Sequence, residues 1–357
     1  MKHFRISIIV TIALMACAGW WGYTHGGMGA ALTALWITGV LGVMEVSLSF
    51  DNAVVNASVL KDWDAFWQKL FLTVGILVAV FGMRLLFPLA IVAAATGLGI
   101  PQVWNMALST PDEYSRHLIG VHEEVAAFGG AFLLLVFLNF LFDEEKDVHW
   151  IHWFEEKVGR YGTESLAVLL ALLAVLGCVA LVPEAKQFSV LYSGVIGIAI
   201  YVAVGWISEL LEGGGADDEA DGDEAQAGRS GGEVVKTVVR GGIGGFLYLE
   251  VLDASFSFDG VIGAFAITSD VVVIMLGLAI GAMFVRSMTV YLVHKGTLDE
   301  FIYLEHGAHY AIGILALIMF CSVKYHIPEW FTGLSGVAFI VVSLWSSVRY
   351  KKTLVAQ

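Results

Sequence analysis

Apolar residues along this chain gather into long, nearly unbroken runs. A helix needs about 20 mostly apolar residues to cross a bilayer. Ten runs approach or exceed that length, roughly 6–22, 28–60, 70–97, 119–142, 163–182, 188–211, 238–267, 270–294, 301–321 and 331–348. The pattern predicts an all-α fold, a polytopic membrane helical bundle of about ten transmembrane helices. Residues 28–60 are too long for one straight crossing, which predicts a break or a strong tilt. Residues 238–267 open Gly-rich, at Gly241, Gly242, Gly244 and Gly245.

Composition agrees. Of the 357 residues 58% are hydrophobic and 15% charged, and the mean hydropathy is +0.79. Soluble proteins average about 45–50% apolar and about 25% charged, so a cytosolic enzyme is excluded. With 40 Gly, 5 Pro and 19 Lys plus Arg, neither nucleic-acid binding nor a disordered chain fits. Cys17, Cys178 and Cys321 all sit inside apolar runs, which leaves no CxxC, disulfide framework or zinc knuckle. Lys2 and Arg5 before a short apolar run ending Leu14-Met15-Ala16-Cys17 imitate a signal peptide. Apolar Trp20-Trp21 follows and the rest of the chain is itself membrane, which favours an uncleaved first helix.

Positive charge orients the bundle. With ten spans and the N-terminus inside, only Arg116, Lys186 and Lys324 fall on the outer side, and Arg84 and Arg286 fall within the membrane. All other Lys and Arg residues lie on the inner side, so both termini are expected to be cytoplasmic. The net charge of −14 concentrates in one cytoplasmic loop that carries Asp217-Asp218-Glu219, Asp221 and Asp223-Glu224. Such a run is a solvated linker or, alternatively, a weak gatherer of cations. It separates two halves that resemble each other.

The first half reads Glu45-Val-Ser-Leu-Ser-Phe-Asp51-Asn52-Ala-Val, the second Asp253-Ala-Ser-Phe-Ser-Phe-Asp259-Gly260-Val-Ile. An acid followed by Ser-x-Ser-Phe-Asp recurs at an offset of 208. One arginine follows each copy in the next span, Arg84 and Arg286, and His122-Glu123 and Glu305-His306 open the span after that. Span two runs outside to inside and span seven inside to outside. The repeats are therefore inverted, the architecture in which transporters bind substrate near the bilayer midplane. The expected organisation is an N-terminal transmembrane helix (1–27), a first repeat (28–142), a connecting loop and helices (143–211), an acidic linker (212–233), a second, inverted repeat (234–322), and a C-terminal helix and tail (323–357).

A charge at a helix centre costs roughly 2.5–3.5 kcal/mol on insertion scales. Glu45, Asp51, Asp253, Asp259, Arg84 and Arg286 would together cost on the order of 15–20 kcal/mol unless paired or solvated. A purely structural ion-pair lattice is one account of them, and it is compatible with transport. At 100° per residue Glu45, Ser49, Asn52 and Asn56 share one helix face and Ser47 and Asp51 another. Either the helix is unwound at the motif, or each acid serves a different part of a pathway. Gly39, Gly42, Gly260 and Gly263 permit close approach and local unwinding. The donors are all oxygen, which suits Mn²⁺, Ca²⁺ or Mg²⁺, whereas Cu(I) and Zn²⁺ want thiolate or imidazole. Arg84 and Arg286 are expected to replace the ion when the site is empty, pairing with Asp51 and Asp259. The clusters His122, Glu123, Glu124 and Glu305, His306, His309 near helix starts serve either interface anchoring or gating and proton coupling. No HExxH, Walker A or GxGxxG motif occurs, so neither a zinc protease nor an ATPase is indicated.

The two acidic motifs resemble the signature motifs of the TerC integral membrane family, over roughly residues 30–322. The stretch Tyr303-Leu-Glu-His-Gly-Ala-His309 is similar to one bacterial branch long known only as a domain of unknown function. The resemblance implies a bacterial inner-membrane protein, a link to tellurium resistance and, from several relatives, manganese export. It carries metal binding to Glu45, Asp51, Asn52, Asp253 and Asp259. TerC relatives commonly have Ser after the final Asp of the second motif; here Gly260 removes that ligand.

The leading expectation is a secondary transporter of divalent cations, Mn²⁺ before Ca²⁺, with no catalytic residues and no resident cofactor. Its partners are then the metal substrate and the lipid bilayer, with no nucleic acid. A non-transporting membrane scaffold in metal or tellurium stress is the alternative. An intramembrane hydrolase using an aspartate pair is a third class, with no nucleophile–base pattern to support it.

Overall fold

The computed structural model describes residues 4–61, 63–75, 77–143, 146, 148–212, 242–295 and 301–355. Among them there are helices and no strands. Helix α1 (Arg5–Leu48) spans 44 residues but leaves helical geometry at Gly26 and Gly27. Gly27 has φ +72°, which glycine adopts without penalty. Beyond this break the chain folds back on itself. Gly22 lies directly against the backbone of Ala30 and Ala31, and Gly19 against Leu35. The runs at 6–22 and 28–48 are thus two antiparallel arms of one hairpin.

Both arms pack on the helix that follows the second motif. That helix, α12, runs Val271–Lys295, and α11 before it runs Ile243–Ile267. Toward the first arm, Ser7 Oγ donates to the Met283 carbonyl (2.7 Å) and pairs with Ser287 Oγ (2.6 Å), while Trp21 Nε1 donates to Asp270 (3.0 Å). Toward the second arm, Gly277 receives Leu41 and Gly281 receives Glu45. Small residues at this spacing let two membrane helices approach to backbone contact.

The expected interruption of residues 28–60 is present. It falls at Ser49 (φ −102°, ψ 17°), where α1 ends and α2 (Phe50–Leu60) begins. After α3 (Ala65–Leu70) come two π-helical stretches, Phe71–Gly75 and Val78–Leu86, then α4 (Phe87–Thr96). Two short helices not anticipated from the sequence, α5 (Ile100–Ser109) and α6 (Pro111–Ile119), lead to α7 (His122–Phe142). Helix α7 is the central post, with Phe132, Leu133 and Leu135 fully buried. Helix α8 (His152–Gly159) meets α9 (Glu164–Val179) at 103°, and α10 (Glu184–Glu212) follows. Beyond α11 and α12 stand α13 (Leu304–Ser322) and α14 (Glu329–Val355).

Seven of the described helices are long and apolar enough to cross a membrane, or up to eight if α8 and α9 form one broken span. The ten sequence runs each coincide with helix. The smaller number arises because the two arms of α1 count once, α11 carries Glu250, Asp253 and Asp259, and α9 by itself has only 16 residues. Large apolar side chains such as Trp36, Phe188, Trp206 and Leu210 face outward, as a lipid-immersed surface requires. The protein is an all-α polytopic membrane bundle. The acidic loop, Asp217 to Glu224, lies outside the described residues.

Because Leu41 fills the space a side chain at Gly277 would occupy, Gly277→Val should force the second arm of α1 off α12. Overpacking of this kind costs about 1–3 kcal/mol. Thermal unfolding in detergent should show a lowered midpoint; an unchanged midpoint would contradict the packing.

Candidate functional site

The break at Ser49 gives α2 its own N-terminus in the middle of the bundle, with Asp51 in its first turn. Unpaired N–H groups there favour a carboxylate. Asp51 Oδ1 accepts the Asn52 N–H (2.9 Å), and its carboxylate rests against Gly336 of α14, where any Cβ would collide with it. Glu45 closes the last turn of α1, seated against Gly281 and Gly260. A straight helix would aim these two acids apart; the break turns both into one cavity of about 400 Å³. Ser49, His122, Glu123, Gly260, Lys324, His326 and Thr332 also line it. His122 and Glu123 stand at its mouth, where Glu123 pairs with Lys186 (2.6 Å). The basic residues of this end are the three that the charge pattern assigns to the outer side.

The floor of the cavity is an ion-pair network. Arg84 Nη2 donates to Glu45 Oε1 (2.5 Å), and its Nη1 lies 3.8 Å from Asp253 Oδ2. Asn52 Nδ2 donates to Asp253 Oδ1 (2.5 Å), and Ser49 Oγ to Glu45 Oε1 (3.0 Å). Glu45 and Asn52 are each 1% exposed, Arg84 5% and Asp253 7%. Arg84 stands in a π-helical stretch and donates Nη1 to the carbonyl of Ala79, five residues back (2.6 Å). Such wide turns are frequent at functional sites. Breaking a buried pair by removing one partner is costly, because the remaining charge has no counterion.

Below the network lies a smaller void of about 40 Å³, lined by Asn56, Gly75, Arg84, Glu250, Asp253, Arg286 and Thr289 among others. It has room for water. Glu250 is 5% exposed and neither of its carboxylate oxygens has a hydrogen-bond partner. Asn56 Oδ1 and Asp253 Oδ2 are likewise buried without a bonded partner. Arg286 donates Nε to the Leu72 carbonyl (2.6 Å). Two polar compartments therefore lie in line through the bundle, separated by Glu45, Arg84, Asp253 and Asn52.

The two motifs cross antiparallel, as the repeat reading expects of its two copies. The offset of 208 equates Glu45 with Asp253 and Asn52 with Gly260. In space Asn52 meets Asp253, and Glu45 meets Gly260. Exchanging the copies turns each contact into the other. The motif of α1–α2 runs antiparallel to that of α11, so the relating axis lies across the helices. The symmetry is imperfect: α11 is continuous through its motif, and Gly260 offers no side chain where Asn52 offers an amide.

One expectation is corrected: Arg84 pairs with Glu45 and Asp253, not with Asp51. Arg286 donates to a main-chain carbonyl. The side chain of Asp259, its expected partner, lies outside the described residues. Glu305, His306 and His309 stand apart from both compartments. Glu305 pairs with Lys61 (3.5 Å), and His309 bonds its own turn at the Glu305 carbonyl and stacks on Phe140. His306 Nε2 donates to the Val148 carbonyl (2.9 Å) and lies 3.4 Å from Glu155. Glu155 of α8, outside the spanning helices, accepts the Tyr310 hydroxyl and the N–H groups of Trp150 and Ile151. Burial alone would raise its pKa, but His306 and these donors hold it down to about 2. This cluster fastens the 143–160 loop to the start of α13.

Glu250 and Glu155 escaped the sequence reading. Glu250 has no acidic counterpart in the first half, where the same offset reaches Gly42, so a search by repeat passes over it. Its signal was the spacing to Asp253, i and i+3 on one helix face. Among the described residues no three His, Cys, Asp or Glu side chains converge on one point. A cation in either compartment would complete its shell with hydroxyl, amide, carbonyl or water oxygen.

The chain belongs to the family described as Protein of unknown function (DUF475), whose family model matches residues 50–354. No curated protein and no solved structure matches it.

Arg84→Gln should strand Glu45 and Asp253 as uncompensated buried charges and cost about 3–5 kcal/mol of stability. Adding Glu45→Gln and Asp253→Asn should restore most of the loss in detergent unfolding. A penalty under about 1 kcal/mol for the single change, the value of an exposed pair, would contradict the network.

Proposed function

We propose that this DUF475 protein is a secondary transporter of divalent metal cations, with Mn²⁺ the foremost substrate, Ca²⁺ the next, and export the direction. The observation that carries the reading is the pair of polar compartments in line through an apolar bundle. Each is lined by carboxylates, and one buried arginine stands between them. A structural lattice alone needs no cavity of about 400 Å³ above it and no unpartnered Glu250 below it.

In this reading Arg84 occupies the place between Glu45 and Asp253 that a cation would take. Cargo and guanidinium compete for the same two carboxylates, so an empty carrier keeps its charges balanced. The likeness of the two motifs to TerC proteins supports metal export and a bacterial inner-membrane location. The excess of Lys and Arg at one end of the bundle supports cytoplasmic termini, with the larger cavity opening outward.

Purified protein in proteoliposomes should carry Mn²⁺ down its gradient. Asp51→Ala and Glu45→Gln should each lower the flux at least ~10-fold while insertion is unchanged, since each removes a charged ligand from a low-dielectric path. Absence of Mn²⁺ and Ca²⁺ flux from the unmodified protein would favour a non-transporting scaffold. Normal flux from both variants would place the pathway elsewhere.

A further inference from the structure

The two repeats differ at one place that matters for access to the acids. Asn52 spends its amide on Asp253. The image of that contact brings residue 260 against Glu45, and there the chain has glycine. A Cβ built at Gly260 would lie 2.9 Å from Glu45 Oε2, and among the described residues outside its own helix the other atom within 4 Å is Glu45 Cδ. Gly281, by contrast, is wedged against the Glu45 stem and the Gly42 backbone, so its smallness serves packing. Among the described residues, a side chain at Gly260 would meet the carboxylate end of Glu45. It lies inside α11 and has no positive φ to require glycine. A glycine within a helix is unfavourable relative to alanine, and at Gly260 what a side chain would disturb is the Glu45 carboxylate, not the backbone geometry or the packing of another helix.

The consequence is on the Glu45 side. Oε1 is taken by Arg84 and Ser49. Among the described residues no hydrogen bond is made to Oε2, and both Glu45 and Gly260 line the larger cavity. We propose that Gly260 is a positioning residue. By withholding a side chain it leaves Glu45 Oε2 open to a hydrated divalent cation in the larger cavity, while Asn52 keeps Asp253 closed on the other side. The proposal rests on the transport reading and deepens it: one acid is kept free for the cation and its symmetry mate is locked.

The test is a double-mutant cycle on the purified full chain with Mn²⁺ as the probe. Gly260→Asn would place an amide on Glu45 as Asn52 does on Asp253, and Gly260→Ala adds only bulk. Gly260→Asn should weaken Mn²⁺ binding at least 10-fold, and Gly260→Ala by less. In a Glu45→Gln background Gly260→Asn should change nothing further, which a merely structural role would not produce. Equal weakening with and without the Glu45 carboxylate, or none in either, overturns the proposal. A metal-independent readout separates this from the transport reading. With the native cysteines replaced by serine, Glu45→Cys should react with a membrane-impermeant thiol reagent, and Gly260→Asn should slow that reaction at least 10-fold. If the unmodified protein carries no metal but the labelling behaves so, transport fails and the role of Gly260 in access stands. If labelling is indifferent to residue 260, the role of Gly260 falls whatever the flux.

Discussion

Everything at the centre of this bundle turns on placing a guanidinium between two carboxylates in a medium that solvates neither. Arg84, Glu45 and Asp253 are each almost wholly buried. Their mutual attraction is strong there because the surrounding bundle holds the local dielectric low, and each alone would be untenable. The helices must therefore deliver all three to one point. The second arm of α1 does so by lying on Gly277 and Gly281 of α12, the chain at Arg84 by π-helical turns, and α11 by crossing antiparallel to α2.

Glycine recurs beside these acids with a common physical purpose. Gly260 meets Glu45, Gly336 meets Asp51, and Gly75 meets Glu250, each at the carboxylate. A helical glycine presents bare backbone, so a carboxylate can sit between packed helices without an alkyl group pressed on its oxygens.

Much of this was legible in the chain. The excess length of residues 28–60 demanded an interruption, and it falls at Ser49 inside the motif. The two motifs picked out by the repeat offset of 208 supply the residues that meet as Asn52–Asp253 and Glu45–Gly260, though the offset did not say which would touch. The partner of Arg84 was not legible, because it depends on how π-helical turns rotate that side chain relative to a 100° helical wheel. The Glu305, His306 and His309 cluster left two readings open, because polar residues at a helix start look alike in sequence whether they gate a path or fasten a loop. The contacts of His306 and Tyr310 with Glu155, far away in the chain, are of the fastening kind. Glu250 was hidden because it breaks the symmetry that drew the eye to its neighbours.

The central claim is that one ion-pair network divides two compartments that open to opposite sides. Sided thiol labelling in sealed vesicles reads this directly, using Thr332→Cys in the larger cavity and Thr289→Cys in the smaller void, with the native cysteines replaced by serine. An impermeant reagent added from the outer side should label position 332 and spare position 289. Reagent added from the inner side should never reach position 332 while the network is closed, and Mn²⁺ should alter the pattern. Labelling of both positions from the same side in the absence of metal would mean a continuous pore and would contradict the account.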